Sequence, residues 1–254
     1  MGAAAETAPL EPWVQYTRPA PAAETVLVCF PYAGGAASAY REWVPQLAAH
    51  GVEVWPVQLT GREGRFREAP TTELSVVAEQ IIALLDRHLD GRSYAVFGHS
   101  AGAYMAYLLA SLESRRSRRV PLHVFVSASR PPSRPDPDFP IHQLPREPFL
   151  AKMFGYGRMP VEVLDHPDLA ELVIATARAD LQLVETFPWA SVPELDCPVT
   201  ALVGNADASV PVATQEEWRR ITRGPFASVV IPGGHFPSAT AQGMILEVIR
   251  RALC

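Results

Sequence analysis

Six short runs rich in β-branched and other apolar residues alternate with segments of helical periodicity. The runs are TVLVCF (25–30), VEVWPVQL (52–59), SYAVF (93–97), LHVFVSA (122–128), PVTALVG (198–204) and ASVVIP (227–232). Between most of them lie amphipathic stretches at 38–50, 72–89, 101–113, 213–222 and 239–252. Strand, helix, strand, repeated along a chain, means parallel pairing with the crossover helices packed on the sheet. The expected fold class is therefore α/β: a mostly parallel central sheet with helices on both faces, whose ligands bind at the carboxyl ends of the strands. The chain has 254 residues, 48% of them hydrophobic, enough for one sizeable core.

Other classes are disfavoured by simple counts. A formal net charge of −5 suits neither nucleic acid nor an anionic membrane surface. No apolar stretch approaches the ~20 residues that span a bilayer, and the N-terminus lacks the basic and apolar regions of a signal peptide. Cys29, Cys197 and Cys254 are too scattered for a disulfide framework or a metal site. Cys29 and Cys197 border strands and read as buried thiols of a protein in a reducing, cytoplasmic compartment. Residues 1–20, rich in Ala and Pro, read as a disordered leader.

One stretch breaks the alternation. Some seventy residues separate Ala128 from Pro198, opening with SRPPSRPDPDFP, which is too proline-rich for regular structure. A long insertion in a compact domain is usually functional. Residues 129–190 read as a helical lid, dividing the core into 21–128 and 191–254. Within it Leu169, Leu172, Val173, Thr176, Ala177, Leu181 and Val184 fall on one stripe at helical spacing. Asp180 interrupts that stripe. A buried carboxylate is costly without a partner, so either a cation meets it near the pocket mouth or the stripe faces a partly wet chamber. Both place Leu181 and Val184 beside a substrate chain.

Gly98-His99-Ser100-Ala101-Gly102 is G-x-S-x-G between a strand and a helix, the context of the nucleophile elbow of the α/β-hydrolase fold. Side chains flanking Ser100 would collide with strand and helix in so sharp a turn, and glycine removes the collision. A serine hydroxyl needs a base and an orienting acid, which follow in the order Ser, Asp or Glu, His in this fold. VVIPGGHFPS places His235 just past the last strand, and ALVGNADASVP places Asp207 past the strand before it. His50 and His88 end helices, His123 lies in a strand, and His142 and His166 fall in the insertion; His99 points away from its neighbour Ser100. The backbone N–H of Ala101 is one expected oxyanion donor. The other is assigned to Ala33, in the glycine-containing loop CFPYAGGAASAY after the first strand.

FPYAGG, VQLTGREGR, GHSAG, IHQLP, DLQLVET and GPFASVVIPGGHF, in that order from about residue 26 to the C-terminus, resemble the free-standing type II thioesterases of polyketide and nonribosomal peptide synthesis. The resemblance implies a Ser100–Asp207–His235 triad, oxyanion donors at Ala33 and Ala101, and a lid over 129–190. It implies hydrolysis of acyl groups from the phosphopantetheine arm of acyl or peptidyl carrier proteins, with no resident cofactor and no metal. Tyr32 stands where the family often has His, Thr60 where Pro is usual, and Ala101 where Met is common; these departures bear on acyl preference. Arg62, Arg65 and Arg67, with Arg130 and Arg134, lie at the active-site pole and are candidates to meet the pantetheine phosphate or the carrier. The run ESRRSRR (113–119) falls at the opposite pole and reads as a solvated helix end. Two other readings stay open: a general carboxylesterase or lipase with the same triad, and a catalytically silent binding member of the fold.

Overall fold

A computed structural model describes residues 11–20, 22–116, 119–157 and 165–254. Six strands, β1 (Thr25–Phe30), β2 (Val52–Pro56), β3 (Ser93–His99), β4 (Val124–Ser127), β5 (Val199–Gly204) and β6 (Phe226–Ile231), form one sheet in the order β2-β1-β3-β4-β5-β6. Every pairing is parallel, with Phe97 opposite both Cys29 and Phe125 in the centre. The helices are α1 (Trp43–Ala48), α2 (Leu74–His88), α3 (Ala101–Arg116), α4 (Arg146–Tyr156), α5 (Pro167–Glu185) and α6 (Ala239–Leu253). The segment expected to be a helix at 213–222 is a 3-10 helix over Val212–Ile221.

The two-residue period of the strands separates two cores. Val26, Val28 and Phe30 of β1 join α2 and α3 on one face; Leu27 and Cys29 face α1 and α6 on the other. Because both faces are covered, β1, β2 and β4 are buried throughout, as continuous apolar strands should be. Helix α3 has no polar side: nearly every residue from Ala101 to Ser111 is buried. Its small first turn lets it descend directly behind the sheet.

Residues 11–20 are not a free leader. The backbone N–H of Gln15 donates to Pro56 O and that of Gln58 to Trp13 O, and Val14 is fully buried in an antiparallel bridge with Val57. Thr17 Oγ1 donates to Val54 O at 2.8 Å. Composition pointed to disorder, but Trp13 and Val14 supply apolar anchors, and Pro56 ends β2 so that Val57 and Gln58 pair with this strap instead. The remaining leader residues, 1–10, lie outside the described ones.

The stretch between β4 and β5 carries α4 and α5 around a small core of its own, built on Ile141, Phe149, Leu150, Met153, Ile174, Ala177 and Leu181. The Glu185 carboxylate at the end of α5 accepts the backbone N–H groups of Ile141 (3.0 Å) and His142 (3.1 Å), tying the two ends of the excursion together. The buried line along α5 is Ala170, Ile174, Ala177, Leu181 and Val184. Leu169 and Leu172, expected on that line, stand off it at 46% and 42% exposure. Ala170 and Ala177 allow close approach there, so in its first half the helix turns these small residues, with Ile174, inward rather than Leu169 and Leu172.

At the far end of α3, Arg115 and Arg116 are exposed, while Arg119 folds back to pair with the buried Glu113 and with Asp86. Ser117 and Arg118 lie outside the described residues.

Candidate active site

Ser100 occupies the turn between β3 and α3 with φ +55°, a left-handed conformation that costs about 1–3 kcal/mol for a residue other than glycine. Two backbone crossings explain its flanking glycines. A Cβ on Gly98 would stand 2.0 Å from Gly102 O, and one on Gly102 would stand 2.3 Å from Phe30 O. Both are below any tolerated contact, so strand, turn and helix fit only with glycine at both positions. Ser100 N–H donates to Ser127 O at 2.8 Å, which fixes the turn to the neighbouring strand.

The turn after β6 brings His235 to this point. Its Nε2 lies 3.0 Å from Ser100 Oγ and its Nδ1 2.9 Å from Asp207 Oδ2. Asp207 stands in the turn after β5, where its Oδ1 accepts the backbone N–H groups of Ser209 (2.9 Å) and Val210 (3.1 Å). Both carboxylate oxygens are thus occupied, and the carboxylate cannot rotate away from the imidazole. Asp207 and His235 are each 7% exposed. With Nδ1–H donated to the carboxylate, Nε2 is left as the acceptor facing the serine hydroxyl. The chain is a hydroxyl, a base and an orienting acid in series, the arrangement that converts a serine into a nucleophile.

Ala101 is the first residue of α3, so its N–H has no intrahelical acceptor. In the loop after β1, Gly34 N–H donates to Asp180 and Gly35 N–H to Tyr32 O, which leaves the Ala33 N–H as the uncommitted donor of these three.

A cavity opens at Ser100 and His235, walled by Tyr104, Phe139, Tyr156, Leu181, Val184 and Val210. The excursion supplies most of its apolar wall. A second, larger cavity shares Tyr104, Phe139 and Val184 with the first, so these three side chains stand between them. The Tyr156 ring lies tilted over the His235 imidazole at 4.7 Å between centroids. Burial above all, with the nearby Asp136, Glu185 and Asp207 carboxylates, pushes its hydroxyl far above the ordinary phenol range, so it stays neutral beside the base.

Of the residues named from sequence, Ser100, His235, Ala101, Leu181 and Val184 meet at the cavity, with Asp207 behind His235. Tyr32 does not line it. Its ring packs edge-on against Phe236 at 4.7 Å and borders a separate aromatic cavity with Trp43, Phe97 and His99. His99 is turned away from Ser100, its Nδ1 3.1 Å from Ser127 Oγ.

Arg62 and Arg65 require a correction, because neither faces solvent: each is 7% exposed. Arg62 grips the Asp180 carboxylate, which answers the question that Asp180 raised in the helical stripe. Arg65 donates to Gln58 O and to Glu68, and its guanidinium lies 4.0 Å over the Trp13 ring. Both stem from the segment after β2, which tucks under the excursion instead of projecting from it. Arg134 pairs with Glu217, and Arg67 remains exposed. Arg130 lines the cavity, its Nε donating to Ser209 O at 3.0 Å. Sequence reasoning missed Tyr156, Tyr104 and Phe139, which carry no spacing signal. The Asx-type turn at Asp207-Ala208-Ser209 is a local sequence signal for the carboxylate's placement.

The thioesterase domain family model matches residues 25–253, almost the whole chain. The chain belongs to the thioesterase family. The chain is 35% identical over 224 residues to thioesterase PikA5 of Streptomyces venezuelae, covering 88% of this chain and 79% of that one. Among solved structures, RedJ, a thioesterase of the prodiginine pathway of Streptomyces coelicolor, superposes with a TM-score of 0.84 at 34% identity, covering 99% of this thioesterase and 96% of RedJ. BorB, a type II thioesterase from the borrelidin biosynthetic cluster, gives a TM-score of 0.80 at 30% identity, with 95% and 96% covered. The thioesterase is thus an α/β enzyme that hydrolyses thioesters. Among the described residues no helix is long and apolar enough to cross a membrane, and no cluster of His, Cys, Asp or Glu could hold a metal ion.

Proposed function

We propose that this thioesterase removes acyl groups from the phosphopantetheine arm of acyl or peptidyl carrier proteins, clearing mis-primed or stalled polyketide or nonribosomal peptide synthases in the cytoplasm. The observation that carries the reading is the Ser100–His235–Asp207 chain at 3.0 and 2.9 Å on a strained turn, opening into an apolar cavity.

His235 Nε2 takes the proton of Ser100 Oγ as that oxygen attacks the thioester carbonyl, and Asp207 steadies the resulting imidazolium. The N–H groups of Ala33 and Ala101 receive the oxyanion; one such donor is typically worth ~10²–10³ in turnover. The C–S bond breaks, and the His235 imidazolium gives its proton to the departing pantetheine sulfur, which leaves as the thiol and returns His235 to its neutral form. A thiol pKa near ~8.5 makes this sulfur a good leaving group that asks little of a general acid. Water, deprotonated by His235, then attacks the acyl-serine, and its proton returns to Ser100 as the acid departs. The phosphopantetheine arrives as part of the substrate, and the reaction so written draws on no cofactor of the enzyme's own. The α4–α5 excursion acts as the lid and cradles the acyl chain against Leu181 and Val184.

The deciding experiment compares kcat/KM on an acyl-carrier thioester with that on a free ester and a free N-acetylcysteamine thioester of the same acyl group. A preference of at least ~10²-fold for the carrier-borne group supports the reading. Equal or better hydrolysis of the free ester would identify a general esterase.

A further inference from the structure

Helix α5 reaches past the acyl cavity to the loop that carries the Ala33 N–H. Ala177 packs on Gly34 so closely that a Cβ there would lie 3.3 Å from the Ala177 Cβ. One turn on, Asp180 is 1% exposed. Its Oδ2 accepts the Gly34 N–H at 2.7 Å and a proton of Arg62 Nη1; its Oδ1 accepts Arg62 Nη2 at 2.7 Å. Arg62 Nη1 also donates to Gly35 O at 2.9 Å, and its Nε to Thr60 O at 3.2 Å. A buried ion pair of this kind contributes little to stability beyond what a well-packed apolar pair would give. Its position suggests what else it does.

The contacts fall on one short stretch of backbone. Asp180 holds the N–H of Gly34, Arg62 holds the carbonyl of Gly35, and the N–H of Gly35 holds the carbonyl of Tyr32 at 2.8 Å. The Tyr32 carbonyl and the Ala33 N–H belong to one peptide unit, and that unit is planar. Fixing the carbonyl therefore fixes the direction in which the Ala33 N–H points. We infer that Asp180 and Arg62 are positioning residues for the oxyanion hole: through Gly34 and Gly35 they aim the Ala33 N–H, so that the helix lining the acyl cavity also sets the donor that receives the developing charge. The inference rests on the proposed roles of Ser100 and Ala33.

The test is Asp180→Asn, which keeps the side-chain shape while weakening its acceptor, together with the milder Arg62→Lys. Lysine keeps the charge opposite Asp180 but cannot bridge both carboxylate oxygens and Gly35 O. Steady-state kinetics on an acyl thioester should show kcat lowered about 10- to 100-fold in Asp180→Asn, and less in Arg62→Lys, with KM within about twofold of wild type. A trifluoromethyl ketone analogue, whose Ser100 adduct places an oxyanion in the hole, should lose affinity by the same factor as kcat. A non-hydrolysable thioether with the same acyl chain should bind all of them equally. A lowered melting temperature with unchanged kcat would overturn the inference and leave the pair a structural brace. Equal losses in ketone and thioether binding would overturn it as well. Ser100→Ala is the control on the underlying reading. If that variant still hydrolyses thioesters, the site assignment itself is wrong; if it is inactive while folded Asp180→Asn or Arg62→Lys turns over normally, only the positioning role fails.

Discussion

Leu181→Phe and Val184→Ala should change chain-length selectivity in opposite directions. Leu181 is 7% exposed and faces the cavity that holds Ser100 and His235. Phenylalanine has three more side-chain carbons, and the space they occupy is lost to the acyl chain. At ~0.8 kcal/mol per buried methylene, displacing three acyl carbons costs about 2.4 kcal/mol, or roughly 50-fold in kcat/KM for long chains. Acetyl and propionyl groups, which do not reach so far, should be nearly unaffected. Val184 stands between this cavity and the second, larger one. Cutting it to alanine removes two carbons, costs about 2 kcal/mol of stability, and opens the larger cavity. Chains two carbons longer than the wild-type optimum should gain roughly 15-fold relative to that optimum. The assay is kcat/KM across a series of straight-chain acyl thioesters from two to twelve carbons, with melting temperature measured in parallel. A uniform change across chain lengths in either variant would refute the reasoning and return α5 to a purely structural part.

Ser100→Ala and His235→Ala should each lower thioester hydrolysis by several orders of magnitude, and the double variant should be little worse, because the groups act in one step; additive losses would argue against a shared step. Asp207→Asn, which disturbs the histidine tautomer, should cost about 10⁴-fold in kcat. Burial holds His123 down at about 4, so the unfolded chain takes up this proton near pH 6.5 while the folded one resists until about pH 4. The urea midpoint should therefore fall as pH drops from 6.5 to 4, and His123→Gln should fall less steeply over that window; identical slopes would refute this. Cys29 and Cys197 are buried, and burial raises both thiols, Cys197 to about 12. Iodoacetamide should therefore label the native protein at Cys254 alone, as mass spectrometry of Cys254→Ser would confirm.

The parts of the molecule legible in sequence were those that local chemistry dictates. Strand β1 is legible to the residue because TVLVCF is apolar on both faces and bounded by Glu24 and Pro31. The Gly98 and Gly102 collisions follow from a motif in which steric need and residue type coincide. Long-range pairing left less trace. Asp180 and Arg62 each looked anomalous alone, one as a carboxylate in an apolar stripe and the other as a cation awaiting a phosphate. Neither reading could foresee that they meet each other, because 118 positions separate them. The same holds for Tyr156 over His235, a ring contact between the excursion and a turn after the last strand. Composition misled at residues 11–20, where Ala and Pro nearby masked two anchoring side chains.

That anchored strap has a consequence for how the sheet ends. An open sheet presents two rows of unpaired peptide groups, and such rows recruit other chains. Strand β2 is one outermost strand, and the carbonyls of Val54 and Pro56 and the Gln58 N–H just beyond it are already taken by Thr17, Gln15 and Trp13. The segment works as a built-in guard against edge-to-edge polymerisation. A chain begun at residue 21 would keep Ser100, His235 and the cavity, yet would bare Val57 and the adjoining peptides. It would lose solubility before it lost its chemistry.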